Sequence, residues 1–241
     1  MRQASPVDLR QIQRVAIVKL SSIGDVVHAL PVSAALKRTY PHLQLSWIVE
    51  ERCADMVTGN PYLSEVITIP GKAWRHGAWH PRTWREVRRI LSMLRVPQFQ
   101  LTIDLQGLLK SAVVAWLTGA PVRIGYHWQR EGAWLFNRVV PKSPNSVHAV
   151  QEYLDVARFL GAQTEPVEFP LYIPPEAEER VEQLLQQGGA PSEGFLSINP
   201  SAGQPYKRWR TERWAELITR IHRQYSLPVV LVGGKADIPL A

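Results

Sequence analysis

The chain has 241 residues, 45% of them hydrophobic, a single cysteine (Cys53) and a formal charge of +7. That length suits one large α/β domain or one domain and part of another; no stretch reaches the roughly 18 apolar residues of a membrane-spanning helix, the first residues lack the apolar centre of a signal peptide, and one cysteine excludes an intramolecular disulfide framework. A cytoplasmic protein is expected, and its charge calls for an acidic partner: nucleic acid, a phosphorylated small molecule or an anionic membrane surface.

Residues 1–10 read as a frayed leader, because no periodic pattern begins before Ile12. The most informative stretch follows. A β-branched and aliphatic run over residues 15–20 gives way to Ser21-Ser22-Ile23-Gly24-Asp25, after which Val26, Val27, Leu30, Ala34 and Leu36 recur at helical spacing. This is strand, tight turn, helix. Such a turn aims backbone N–H groups and the positive end of a helix dipole at anionic or hydroxyl-rich ligands. Asp25 then stands at the rim of a cleft above the strand, or it merely complements the dipole; the motif leaves both readings open.

A second strand is expected over residues 45–50, a short helix over 54–57 and a third strand over 65–70, which is the βαβαβ pattern of a doubly wound parallel sheet. From Gly71 to Arg95 the character changes. Lys72, Arg75, Arg82, Arg85, Arg88, Arg89 and Arg95 are interleaved with Trp74, Trp79 and Trp84. The stretch is an amphipathic helix with a solvated basic face, or a surface for an anionic amphiphile at a membrane; nucleic acid fits less well, because no motif of a nucleic-acid module accompanies it.

Residues 99–104 form the next expected strand, stopping at a polar turn before a helix over 112–117, so that Asp104, Gln106, Gly107 and Lys110 occupy the same kind of position as Ser21 to Asp25. Strand ends of an open parallel sheet line one crevice, and the two turns are expected to converge there. Asp104 as a helix cap and Lys110 as a solvated charge are the plainer alternatives. Residues 121–125 read as a short strand leaving Arg123 free for an anion, and residues 126–144 as irregular structure. His148, a cap or a site residue, opens a helix over 149–160.

The prolines at 166, 170, 174 and 175 mark an extended connector, and the domain boundary is placed within it, giving domains of residues 1–168 and 169–241. The pattern then restarts: a polar helix over 176–187, a strand over 194–200, the turn Ser201-Ala202-Gly203 leading to Lys207, a helix that Thr211 caps, and a strand over 227–234. Two strands do not close a domain, so the second is read as incomplete.

Taken together, Val18 to Pro31, Asp104 to Ser111, Asn137-Arg138, His148 to Val150, and Asn199 to Gly203 followed by Lys207-Arg208-Trp209 resemble the lipopolysaccharide heptosyltransferases of glycosyltransferase family 9. The paired serines before Gly24-Asp25 and the Gln-Gly-Leu-Leu-Lys run favour the type I branch over type II. The resemblance implies an α/β fold of GT-B type, two Rossmann-like doubly wound domains with the C-terminal one truncated. It implies inverting transfer of heptose from ADP-heptose to the Kdo of Kdo-lipid A, with Asp25 as base and Lys207 as the cation at the departing diphosphate. Ser21, Ser22, Gly24, His28, Asp104, Gln106, Gly107, Lys110, Arg123 and His148 are the implied acceptor-side residues, and Ser201, Ala202, Gly203 and Lys207 the donor-side ones. Neither a cofactor nor a metal is expected, since the chain has no Asp-x-Asp sequence. The implied enzyme is a monomer, peripheral at the inner face of the inner membrane, with no nucleic-acid partner. Rival readings are a type II or other family-9 enzyme, a Rossmann oxidoreductase, against which the single glycine of the first turn counts, and a basic lipid- or polyanion-binding module.

Overall fold

The computed structural model describes residues 3–5, 7–71, 81–191, 194–202, 204–234, 237 and 238, with 81–87 described by backbone alone. Lys72, Trp74, Arg75 and Trp79, and the side chains of Arg82, Trp84 and Arg85, therefore lie outside the described residues, as does Gly203. The chain divides into two units, Met1–Tyr172 and Ile173–Ala241, and the division falls inside the proline-rich connector.

The first unit contains β1 (Arg14–Val18), α1 (Ile23–Thr39), β2 (Gln44–Glu50), β3 (Glu65–Ile69), α2 (Pro81–Arg95), β4 (Leu101–Asp104), α3 (Leu109–Leu117), β5 (Val122–Gly125), β6 (Arg138–Val139) and α4 (Ala149–Phe159). The strands form one parallel sheet in the order β3-β2-β1-β4-β5-β6. β1 reads as a continuous apolar run because both of its faces are covered. Val15 and Ile17 pack with Val26, Leu30 and Leu36 of α1 and Leu154 of α4, whereas Ala16 and Val18 pack with Ile90 and Leu94 of α2 and Val114 and Ala115 of α3. The chain leaves β1 toward β2 on one side and resumes at β4 on the other. The strand order thus reverses between β1 and β4, and the crevice that such a reversal opens lies at the carboxyl ends of these strands.

Three local expectations are corrected. Residues before Ile12 are anchored: Gln3 bridges Val139, the Ala4 N–H reaches the Val139 carbonyl at 3.0 Å, and Leu9 is buried in a short 3-10 turn. α3 begins at Leu109, a turn earlier than its apolar pattern, because Ser111 Oγ accepts from the Leu108 N–H at 3.1 Å and so caps the helix from within. Thr211 is the first residue of its helix, with Arg210 in the cap position.

The second unit has α5 (Pro175–Gln187), β7 (Leu196–Ile198), α6 (Thr211–Tyr225) and β8 (Val229–Leu231), with β7 and β8 paired in parallel. Among its described residues Ile198 and Pro200 alone are buried. Trp214, Leu217, Ile218 and Ile221 of α6 form a half-buried stripe at helical spacing.

Candidate active site

The turn after β1 is built around Asp25. Its Oδ2 accepts from the Ser22 N–H at 3.1 Å and from Ser22 Oγ at 2.7 Å, which ties the carboxylate across the first turn of α1 while leaving the residue exposed. Burial alone would raise its pKa; the two Ser22 hydrogen bonds, and then the charges of Lys19 and His28, outweigh that and hold the group below the ordinary aspartate value. Gly24 has open space about it: apart from its chain neighbours and the α1 backbone, no described atom lies within 4 Å of where a Cβ would stand. One turn on, the His28 ring meets that of His148 edge to face at 5.3 Å between centroids. His148 Nδ1 in turn accepts from the Val150 N–H at 3.2 Å and caps α4.

The turn after β4 is built differently. Asp104 is fully buried; its Oδ1 accepts from the N–H groups of Gln106 at 2.9 Å and Gly107 at 3.1 Å, and its Oδ2 from Ser111 Oγ at 3.1 Å and Asn137 Nδ2 at 2.8 Å. Burial raises the Asp104 pKa against these donors. Gly107 has φ of +71°, and a Cβ there would stand 2.1 Å from the Trp128 carbonyl oxygen. Gln106 joins the two turns: its Oε1 accepts from the Leu20 N–H at 2.8 Å and the Ser21 N–H at 3.2 Å. Asp104 and Gly107 are therefore corrected from acceptor contacts to the buried framework of the crevice, because their polar atoms are matched inside the protein, whereas Gln106 ties the two turns through Oε1 and its Nε2 has no partner among the described residues.

Lys19, inside the Val18 to Pro31 stretch but not among the expected site residues, lies beneath both turns. It is 3% exposed, and its Nζ donates to the Leu105 carbonyl at 3.0 Å and to Tyr153 Oη at 2.8 Å. Burial lowers its pKa to about 8, even though Asp25 and Asp104 favour the charged form. Lys110 donates to Ser21 Oγ at 3.3 Å and to Glu50 at 3.0 Å, so the structure brings Ser21 and Lys110 together with a carboxylate absent from the expected set. Arg123 is held by backbone carbonyls that the sequence does not announce. Its Nη1 donates to the Ala120 carbonyl at 2.6 Å and its Nε to the Phe136 carbonyl at 3.2 Å, so the group is fixed in place, while its Nη2 has no partner among the described residues.

In the second unit, the turn after β7 carries Ser201 and Ala202 half-buried and Lys207 exposed at the end of a 3-10 turn. The Ser201 N–H is taken by Asn199 Oδ1 at 2.9 Å, and among the described residues its hydroxyl has no partner; Arg208 Nε donates to the Ala202 carbonyl at 2.9 Å and fixes the loop. Among the described residues no group of three or more His, Cys, Asp or Glu side chains stands close enough to hold a metal ion, and no helix is long and apolar enough to cross a membrane.

Residues 87–239, more than half of the chain, match the profile of Glycosyltransferase family 9 (heptosyltransferase). The chain belongs to this family. Among curated relatives, it is 41% identical over 105 residues to lipopolysaccharide heptosyltransferase 1 of Pseudomonas aeruginosa, covering 44% of this chain and 29% of that protein. It is 28% identical over 222 residues to the enzyme of the same name from Escherichia coli, covering 85% of this chain and 63% of the relative. The family-9 chain thus spans less than two thirds of either relative. Among solved structures, E. coli heptosyltransferase WaaC with ADP-2-deoxy-2-fluoro heptose superposes with a TM-score of 0.75 at 25% identity, over 95% of this chain and 72% of that one. The fold class is accordingly the GT-B type of the family.

Proposed function

We propose that this family-9 protein is an inverting heptosyltransferase of lipopolysaccharide inner-core assembly, acting on ADP-heptose as donor and the Kdo of Kdo-lipid A as acceptor. The reading is supported most by one observation: an exposed, ionised Asp25 held in a fixed orientation by Ser22 at the carboxyl edge of the sheet. Family membership and the likeness to WaaC, solved with a fluorinated ADP-heptose, support the donor. The exposed Arg88 and Arg89 of α2 suit the phosphates of lipid A at a membrane surface.

In the proposed reaction the acceptor hydroxyl gives its proton to the Asp25 carboxylate as its oxygen bonds to the anomeric carbon of heptose. The bond from that carbon to the diphosphate breaks with its electron pair on ADP, and the new bond forms on the opposite face, turning β into α. Lys207, with the Ser201 hydroxyl and the loop about Ala202, meets the charge that develops on the diphosphate. A carboxylate held at low pKa is a weak base, so the proton moves late, once the sugar has oxocarbenium character. Ser21, Ser22, Gly24, His28, Lys110 and His148 are assigned to the acceptor. The enzyme is proposed to act as a monomer on the cytoplasmic face of the membrane, without a metal or other cofactor. The test is ADP release from ADP-heptose with and without Kdo-lipid A: release that requires the acceptor and is lost in Asp25→Ala is expected, whereas acceptor-independent release or normal turnover in the variant overturns the reading.

A further inference from the structure

The carboxyl ends of β1 and β2 and the first turn of α3 bring together Ser21, Glu50, Arg52 and Lys110. Glu50 ends β2 with a side chain only 8% exposed that holds two cations at once, Lys110 Nζ at 3.0 Å on Oε1 and Arg52 Nε at 2.8 Å on Oε2. The cations themselves are open, their side chains 37% and 66% exposed. Among the described residues both keep N–H groups without an acceptor. Gly71, just past β3, seals the carboxylate from above: a Cβ there would stand 2.9 Å from Glu50 Oε2. Burial pulls the Glu50 pKa up, but Lys110 and Arg52 outweigh it and keep the group ionised.

A buried carboxylate is costly unless it is paired, and two surface cations have no need of one for their own solvation. The arrangement makes sense at the ligand side of an open parallel sheet, where an anion buried behind two cations fixes their spacing without consuming their outward donors. We propose that Glu50 is a positioning residue that presets Lys110 and Arg52 as a two-point cradle for an acidic group of the acceptor, a sugar carboxylate or a phosphate ester. Only the identity of the acceptor rests on the transferase reading.

Two physical pictures predict opposite signs. If the cluster acted only through its summed charge, Glu50→Gln would add one positive charge and tighten anion binding. As a positioning residue, its loss frees both cations and weakens binding. The test is calorimetric titration of the full chain with three probes: inorganic phosphate, free Kdo and Kdo-lipid A in detergent micelles. Glu50→Gln should weaken binding of the responding probe by about 10-fold and Arg52→Ala by about 5-fold. Glu50→Gln should weaken binding no further once Lys110→Met is present, because contacting residues are not additive. Affinity for ADP-heptose should stay unchanged in every variant. Tighter or equal binding in Glu50→Gln, or full additivity with Lys110→Met, overturns the cradle. Arg52→Ala alters an exposed side chain, so it decides the matter by itself if Glu50→Gln fails to fold, unchanged binding again overturning it. Glu50-dependent binding of phosphate but not Kdo assigns the cradle to a phosphate ester, and the converse to the sugar acid. If a small probe binds in a Glu50-dependent way while Kdo-lipid A does not bind, the cradle stands and the lipid-acceptor reading falls; if none of the three binds, both fall.

Discussion

The turns after β1 and β4 share one frame, a central parallel strand running into a helix with an aspartate at the bend, yet they treat that aspartate in opposite ways. Asp104 is the last residue of its strand and is fully buried under four donors. Asp25 lies three residues beyond its cap Ser22, on the first turn of α1, and is exposed with two donors from that one residue. A carboxylate at a strand end points into the layer between sheet and helix, where only the protein can match it; one a few residues later emerges on the helix and can meet a ligand. The same residue type at opposite ends of a strand-to-helix bend thus organises one turn and equips the other.

Replacing the two aspartates should separate these roles. Asp25→Ala removes the proposed base and should lower the transfer rate by about 10²- to 10⁴-fold, with acceptor affinity within a few-fold of the parent; a rate assay paired with acceptor titration checks this. Asp104→Ala should instead lower stability by about 3–5 kcal/mol, because buried donors lose their acceptor, which urea unfolding would read. The glycines divide the same way. Gly107→Ala should lower stability by at least about 1–3 kcal/mol, since an alanine there takes a positive φ against the Trp128 carbonyl. Gly24→Ala, in open space on a helix, should change stability by less than about 1 kcal/mol. Comparable losses in the two glycine variants would erase the contrast.

A pH-dependent effect concerns Lys19, beneath both turns. Its pKa falls to about 8 in the folded chain. Between there and the unfolded value near 10.4 the unfolded chain binds more protons, so this group makes stability rise with pH, by up to about 1.4 kcal/mol per unit. Below pH 8 both states are charged and the contribution is flat. Above about pH 10 the buried Tyr126 and Tyr153, whose pKa values burial raises, act in the opposite sense because the unfolded tyrosines ionise first. Urea unfolding of the parent and Lys19→Met at pH 7 and pH 9.5 checks it: the parent should gain relative to the variant.

Much of this frame is legible in the sequence. The apolar run over residues 15–20 and the helical spacing from Val26 give β1 and α1, because a strand covered on both faces needs continuous apolar residues. The bend residues mark where the crevice opens. What the sequence withholds is which polar residue at a bend faces inward: Asp104 and Gly107 look like ligand contacts until the partners Ser111, Asn137 and Trp128 are seen around them. Glu50 and Lys19 are missed for the converse reason. Each sits at the end of an apolar strand, Lys19 at the edge of the Val18 to Pro31 stretch and Glu50 outside any motif, and its partners, Tyr153 and Lys110, are distant in sequence. The carbonyl partners of Arg123 likewise leave no trace in composition.

The division of roles, Asp25 as the chemical carboxylate and Asp104 as the structural one, is tested most directly by single-turnover transfer from ADP-heptose to Kdo-lipid A in Asp25→Asn, set beside the urea midpoint of the same variant. A rate lost by at least about 10²-fold at an unfolding midpoint close to the parent's is the predicted result. A near-normal rate, or a rate that falls only in step with the midpoint, would contradict it.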